Sequence, residues 1–230
     1  EEGASVHVIM TGAATKFVTP LSFEVVSGNK VHTDVFQYTL SHIALTVDAD
    51  LMVIAPATAN IIGKIANGIA DDFLSTTVMA TKAPVLFAPS MNVNMWENKA
   101  LQKNVRTLTE RGYHFMEPGE GELACHWYGK GRLPELVDII EKIKDLFSTK
   151  DLEGERLLVT GGPTQEAIDP VRFITNHSSG KMGYALAKVA RRRGAEVILV
   201  TGPTSLPPPR KDIEVFSIKT AEEMRQAVLA

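Results

Sequence analysis

The chain lacks the residues that would announce several common chemistries. Cys125 is its single cysteine, so no internal disulfide or CxxC metal site can form, and a reducing, cytoplasmic setting is expected. Its six histidines show no HExxH spacing, and no metal-ligand set is read from the sequence. No apolar run approaches the ~20 residues that span a bilayer. An excess of one charge sign is missing too. With net charge −3 and pI near 6.1, there is no electrostatic case for nucleic acid or an anionic membrane. The chain opens Glu1-Glu2-Gly3 and passes directly into a strand, so no signal peptide is expected.

What is present is ordinary globular material. Of its 230 residues, 44% are hydrophobic and 22% charged, enough for a core in one large domain or two small ones. The start inside an α/β unit and the uncapped ending TAEEMRQAVLA suggest part of a longer protein or missing segments. The central stretch is DLMVIAPATANIIGKIANGIADD, residues 50–72. Apolar Leu51 to Ala55 reads as a buried parallel strand, 56–60 as a turn, and Ile61, Ile62, Ile65 and Ile69 as a helix packing back on the sheet. Ligands of doubly wound α/β folds bind at the strand's carboxyl edge, which puts Thr58 and Asn60 there. Either residue could equally be the helix N-cap.

Other segments follow the same rhythm. Val6–Met10 reads as a strand, 11–15 as a turn able to approach an anion, and Pro20–Val26 as a helix stopped by Ser27-Gly28-Asn29. Val31–Tyr38 includes an extended segment, and a short helix runs to Ala49 with Ser41 as N-cap and His42, structural or catalytic, in its first turn. Pro84–Pro89 is a strand whose continuation, Ser90 to Trp96, carries Met91, Met95 and Trp96 to line a flat ligand or cap the core. A helix over 99–111 and a strand over 113–116 come next. Residues 117–132, with four glycines, suggest a mobile flap. Cys125 in it is either a thiolate favoured by Lys130 and Arg132 or a buried inert thiol.

Pro134–Phe147 reads as an amphipathic helix and 148–154 as a linker. Then the pattern restarts: a strand over 156–160, the turn Gly161-Gly162-Pro163-Thr164, SSGKMG at 178–183, a helix to Arg193 and a strand over 196–201. SSGKMG is not a Walker A loop, because Met182 stands where a hydroxyl residue is needed. The insertion EAIDPVRFITNH also departs from GxGxxG, so these motifs alone point only weakly to an anionic ligand.

Taken together, SHI with His42, PATAN (56–60), GIADD (68–72), PSMNVNMW (89–96) and ACHWYGKGR (124–132) resemble the flavin-containing cysteine decarboxylases. GGPTQEAIDPVRFITNHSSGKMGYALA (161–187) resembles the ligase half of the bifunctional phosphopantothenoylcysteine decarboxylase/phosphopantothenate–cysteine ligases of coenzyme A biosynthesis. The resemblance implies a doubly wound, flavodoxin- or Rossmann-like flavoprotein domain over 1–147, a linker, and part of a second Rossmann-like domain over 155–230, both incomplete.

It also implies FMN-dependent carboxy-lyase chemistry on 4′-phosphopantothenoylcysteine. Oxidation of the thiol-bearing carbon to a thioaldehyde provides the electron sink for loss of CO2, and the enethiol is then reduced to 4′-phosphopantetheine. Catalytic roles fall to His42 as base and Cys125 as proton donor. Substrate contacts fall to Asn92, Met95, Ala124 and Arg132, and flavin contacts to Thr11, Thr15, Pro56, Thr58, Asn60 and Met91. The ligase half would use CTP and Mg2+ to join cysteine to 4′-phosphopantothenate, with Asn176 needed for turnover. Gly161, Gly162, Arg172, Ser178, Ser179, Gly180 and Lys181 would form its nucleotide site. Trimeric decarboxylase halves, with flavin at a subunit interface, and dimeric ligase halves imply a homo-oligomer, a dodecamer at full length.

There are departures from the pattern. The family's first strand and Gly-Gly-Ile loop are absent, 36–41 is short, the lysine-rich ligase loop is absent, and His126 stands in place of a glycine. Two alternatives remain: a peptidyl-cysteine decarboxylase, which residues 155–200 argue against, and a non-catalytic flavoprotein regulatory subunit, which His42 and Cys125 argue against.

Overall fold

The computed structural model describes residues 3–34, 45–124, 126–207, 209 and 212–230. It divides into two compact units, Glu1–Glu141 and Lys142–Ala230. Both are α/β with parallel sheets. His42 and Cys125 lie outside the described residues, as does most of the expected helix ending at Ala49, of which 45–47 are helical.

In the first unit, a 3-10 turn (Ala14–Lys16) and α1 (Pro20–Ser27) precede the sheet. Three parallel strands, β1 (Met52–Ala57), β2 (Val85–Pro89) and β3 (His114–Phe115), lie in the order β1-β2-β3. The first crossover carries α2 (Ala59–Ala66) and α3 (Phe73–Ala80). The second carries α4 (Val93–Trp96) and α5 (Lys99–Glu110).

Every residue of β2 is buried, as a strand covered on both faces requires. At the centre of its core, Phe87 stacks on Phe115 at 4.6 Å and meets Tyr113 edge-on at 5.9 Å. Ile61, Ile62, Ile65 and Ala66 form the buried stripe of α2. Thr58 caps that helix, its hydroxyl accepting from the Ile61 N–H at 3.4 Å. Asp72 caps α3 in a reciprocal box with Ser75.

Three expectations change here. Among the described residues, Val6–Met10 does not join the sheet. It makes an isolated parallel bridge, Ile9 to His32, with two flanking backbone hydrogen bonds. Ile69 does not continue the stripe of α2, which ends at Ala66 and leaves Ile69 exposed. The glycine-rich stretch is an ordered antiparallel hairpin, β4 (Gly119–Glu122) with β5 (Tyr128–Arg132). Its glycines serve close packing: Gly129 and Gly131 lie where a Cβ would strike Val93 and the Met91 carbonyl.

Helix α6 (Leu136–Phe147) follows. The second sheet has β6 (Arg156–Gly161), β9 (Glu196–Thr201) and β10 (Glu214–Ser217) in parallel order β10-β9-β6. The EAIDPVRFITNH insertion forms a hairpin, β7 (Gln165–Ala167) with β8 (Phe173–Thr175). Helices α7 (Lys181–Arg192) and α8 (Ala221–Leu229) complete the unit, α7 beginning three residues before the expected Tyr184. Ala187, Ala190, Val197, Leu199 and Ile213 form the core. Residues 148–154, expected as a linker, are tied to this unit: Lys150 Nζ donates to the Arg192 carbonyl at 2.6 Å, and Asp151 pairs with Arg193.

Candidate functional site

In the first unit, the carboxyl end of β2 faces an open cleft of about 780 Å³. Its walls are the loop Ser90-Met91-Asn92 and the β4–β5 hairpin, which contributes Glu122, Leu123, Ala124, His126, Gly131 and Arg132. The strand explains the loop's position, because β2 is buried throughout and its chain can turn into solvent only after Pro89. Asn92 is the N-cap of α4, its Oδ1 accepting from the Asn94 N–H at 2.9 Å. The cap fixes the amide's orientation, with its oxygen turned toward the helix.

The hairpin end is held by backbone bonds, Leu123 N–H to the Trp127 carbonyl at 2.7 Å and His126 N–H to the Leu123 carbonyl at 2.8 Å. His126 has φ +61°, the left-handed region that glycine enters freely and that histidine visits more often than most residues. Its Nδ1 lies 3.1 Å from Glu122 Oε1. Lys130 points to Glu117, 3.6 Å away. Arg132 lies across Gly121, where a Cβ would stand 3.0 Å from Nη1.

The cleft therefore gathers Met91, Asn92, Ala124 and Arg132 from the residues expected in the site. Met95 is about half exposed and does not line it. Pro56, Thr58 and Asn60 stand exposed at the carboxyl end of β1. Thr11 and Thr15 lie in the first turn, where Thr11 Oγ1 accepts from the Ala14 N–H and Thr15 Oγ1 donates to the Gly12 carbonyl. Nothing stands within 4 Å of a side-chain position on Gly12, so an anion has room to approach that backbone. Sequence reasoning missed Ser90 as lining, although it adjoins Met91, and it missed Glu122, Leu123, His126 and Gly131 because the hairpin pairing that brings them to the cleft is not a local pattern.

In the second unit, two turns meet back to back. Gly162 (φ +73°) follows β6, and Gly180 (φ +79°) caps α7; a Cβ on Gly180 would stand 3.2 Å from the Gly162 nitrogen. Gly161 belongs to the same turn, packed against Gly183 of α7. Asn176, Ser178, Ser179 and Lys181 are exposed on the approach to the helix, with Asn176 Oδ1 accepting from the Ser178 N–H at 2.8 Å. Arg172, expected to contact an anion, donates to Asp169 of its own hairpin at 2.6 Å. The Arg172 backbone N–H and guanidinium hold the Asp169 carboxyl below its ordinary range. Among the described residues, no group of three His, Cys, Asp or Glu side chains could hold a metal ion, and no helix is long and apolar enough to cross a membrane.

Comparison with known proteins agrees with the resemblance in the motifs. Residues 1–148 match the family Flavoprotein, and residues 152–230 match the DNA/pantothenate metabolism flavoprotein C-terminal domain. The coenzyme A biosynthesis bifunctional protein CoaBC of Bacillus subtilis (strain 168) is 50% identical over 237 residues. That alignment covers 100% of this chain and 58% of the relative, so the chain spans little more than half the length of the curated proteins it matches. Among solved structures, the FMN-dependent cysteine decarboxylase SpaF is 39% identical, with TM-score 0.52 over 58% of this chain and 74% of its own. A PPC decarboxylase mutant complexed with pantothenoylaminoethenethiol is 30% identical, with TM-score 0.55 over 62% and 83%. The chain belongs to the Flavoprotein family.

Proposed function

We propose that the first unit is an FMN-dependent decarboxylase of coenzyme A biosynthesis, converting 4′-phosphopantothenoylcysteine to 4′-phosphopantetheine in the cytoplasm. The observation that carries this reading is the cleft between the Asn92 loop and the hairpin bearing Ala124 and Arg132. It joins two motifs that the resemblance ties to one substrate. The names of the relatives, a PPC decarboxylase and FMN-dependent cysteine decarboxylases, support it.

The residues present fit FMN. Thr11, Gly12 and Thr15 form an open turn suited to its phosphate, and exposed Thr58 and Asn60 with half-buried Met91 offer a mixed polar and apolar wall. Bound flavin would supply a two-electron oxidation and return the hydride. The chain's residues do the rest. Asn92 donates its amide to the carboxylate, Arg132 offsets negative charge at the hairpin, His42 takes the thiol-side proton, and Cys125 returns one to the enethiol.

In this reading residues 1–147 form the decarboxylase domain and 155–230 part of a CTP- and Mg2+-dependent ligase domain for 4′-phosphopantothenate and cysteine, with Asn176 and the Gly162–Gly180 turns at its nucleotide site. The exposed Phe17, Leu21, Val25 and Val26 around α1 form an apolar face that fits burial in a homo-oligomer, with flavin at the trimeric interface.

The purified protein should be yellow and carry the visible spectrum of bound flavin. His42→Asn should keep that spectrum but release no CO2, whereas Cys125→Ser should release CO2 and accumulate the enethiol. A colourless protein that does not take up added FMN would overturn the proposal.

A further inference from the structure

The β4–β5 ladder has an irregularity. Glu120 pairs with Lys130, and the next pair is Gly119 with Arg132, which leaves Gly131 as an extra residue on β5. Such a bulge releases a residue from its ladder and often stands beside a functional site. The carbonyl of Gly131 accepts instead from the Met91 N–H, at 2.9 Å. Gly131 is buried, and a Cβ there would stand 2.1 Å from the Met91 carbonyl oxygen. Two residues earlier, a Cβ on Gly129 would stand 2.9 Å from Val93 Cγ2. Met91, Asn92 and Val93 are consecutive, so strand β5 lies on the backbone that carries Asn92.

We propose that Gly131, assisted by Gly129, is a positioning residue: the bulge locks the hairpin to the Met91–Val93 loop, so that both walls of the cleft move as one body. The inference rests on the decarboxylase reading for its kinetic consequence but not for the lock itself. A side chain at 131 forces the walls apart by more than an ångström, and errors of that size in a positioned substrate are costly.

The test is Gly131→Ala, read by hydrogen exchange and by kinetics. The Met91 amide should exchange about 10-fold faster, while the Phe87 amide in β2 stays protected. For 4′-phosphopantothenoylcysteine, kcat/KM should fall about 100-fold, with KM raised. Gly119→Ala is the control, because its Cβ meets nothing closer than 3.4 Å and should leave both readouts at wild-type values. Wild-type Met91 exchange and KM in Gly131→Ala would overturn the proposal. If the wild-type protein released no CO2, the decarboxylase reading would fail, and Met91 exchange would still decide the lock. If Gly131→Ala lost Phe87 protection, Val93→Ala would take its place: faster Met91 exchange supports the lock, and unchanged exchange rejects it.

Discussion

Asp72 shows how one side chain serves both an element and its neighbour. Burial works against its charge, but hydrogen bonds from Lys64 and from the Ser75 backbone and hydroxyl outweigh it and hold the carboxyl below its ordinary range. A carboxylate depressed in the folded state stabilises above its unfolded pKa, and that contribution fades as pH falls through the native value. Asp72→Ala should therefore cost about 1 kcal/mol at neutral pH in denaturant unfolding, and the difference from wild type should shrink as pH drops below the carboxylate range. His126 offers a second test. At φ +61° a β-branched residue is strained, so His126→Val should destabilise by about 1–2 kcal/mol. His126→Gly should stay within about 1 kcal/mol of wild type, because relief at φ is offset by greater unfolded-state entropy.

Among the elements, α2 resolves an ambiguity in the sequence. Thr58 was either a ligand-facing residue or an N-cap, and its hydroxyl does cap the helix, whereas Asn60 does not. Thr58→Ala should lower stability by about 1 kcal/mol, and Asn60→Ala should leave thermal unfolding nearly unchanged while weakening flavin retention. The main strands were legible because buried parallel strands are short continuous apolar runs: residues 196–201 coincide with β9, and 84–89 differ from β2 by one residue. Val6–Met10 has the same composition but, among the described residues, makes a single bridge rather than a ladder, and pairing is a non-local property. The packed hairpin is hidden in the sequence for a related reason. A glycine letter stands equally for conformational freedom and for missing volume, and only the approach of Met91 and Val93 reveals which one the fold uses.

For the whole molecule, the strand–turn–helix pattern recurs in both compact units, but the attachment of 148–154 to the second unit is not legible in it, because that depends on Lys150 and Asp151 meeting α7 and its C-cap. The cleft was half legible. Asn92, Met91, Ala124 and Arg132 sit in memorable motifs, whereas Gly131 acquires its place only through a bulge. The exposed apolar face at α1 leads to a prediction on the same scale: Leu21→Asp with Val25→Asp should lower the mass of the assembly in analytical ultracentrifugation while the far-UV spectrum is retained. The decarboxylase chemistry is read out by CO2 release. The flavin-loaded protein is given 4′-phosphopantothenoylcysteine labelled in its cysteine carboxylate, beside Asn92→Ala. Labelled CO2 from the wild type, strongly reduced in Asn92→Ala, is the expected result; no labelled CO2 from the flavin-loaded wild type would contradict the account.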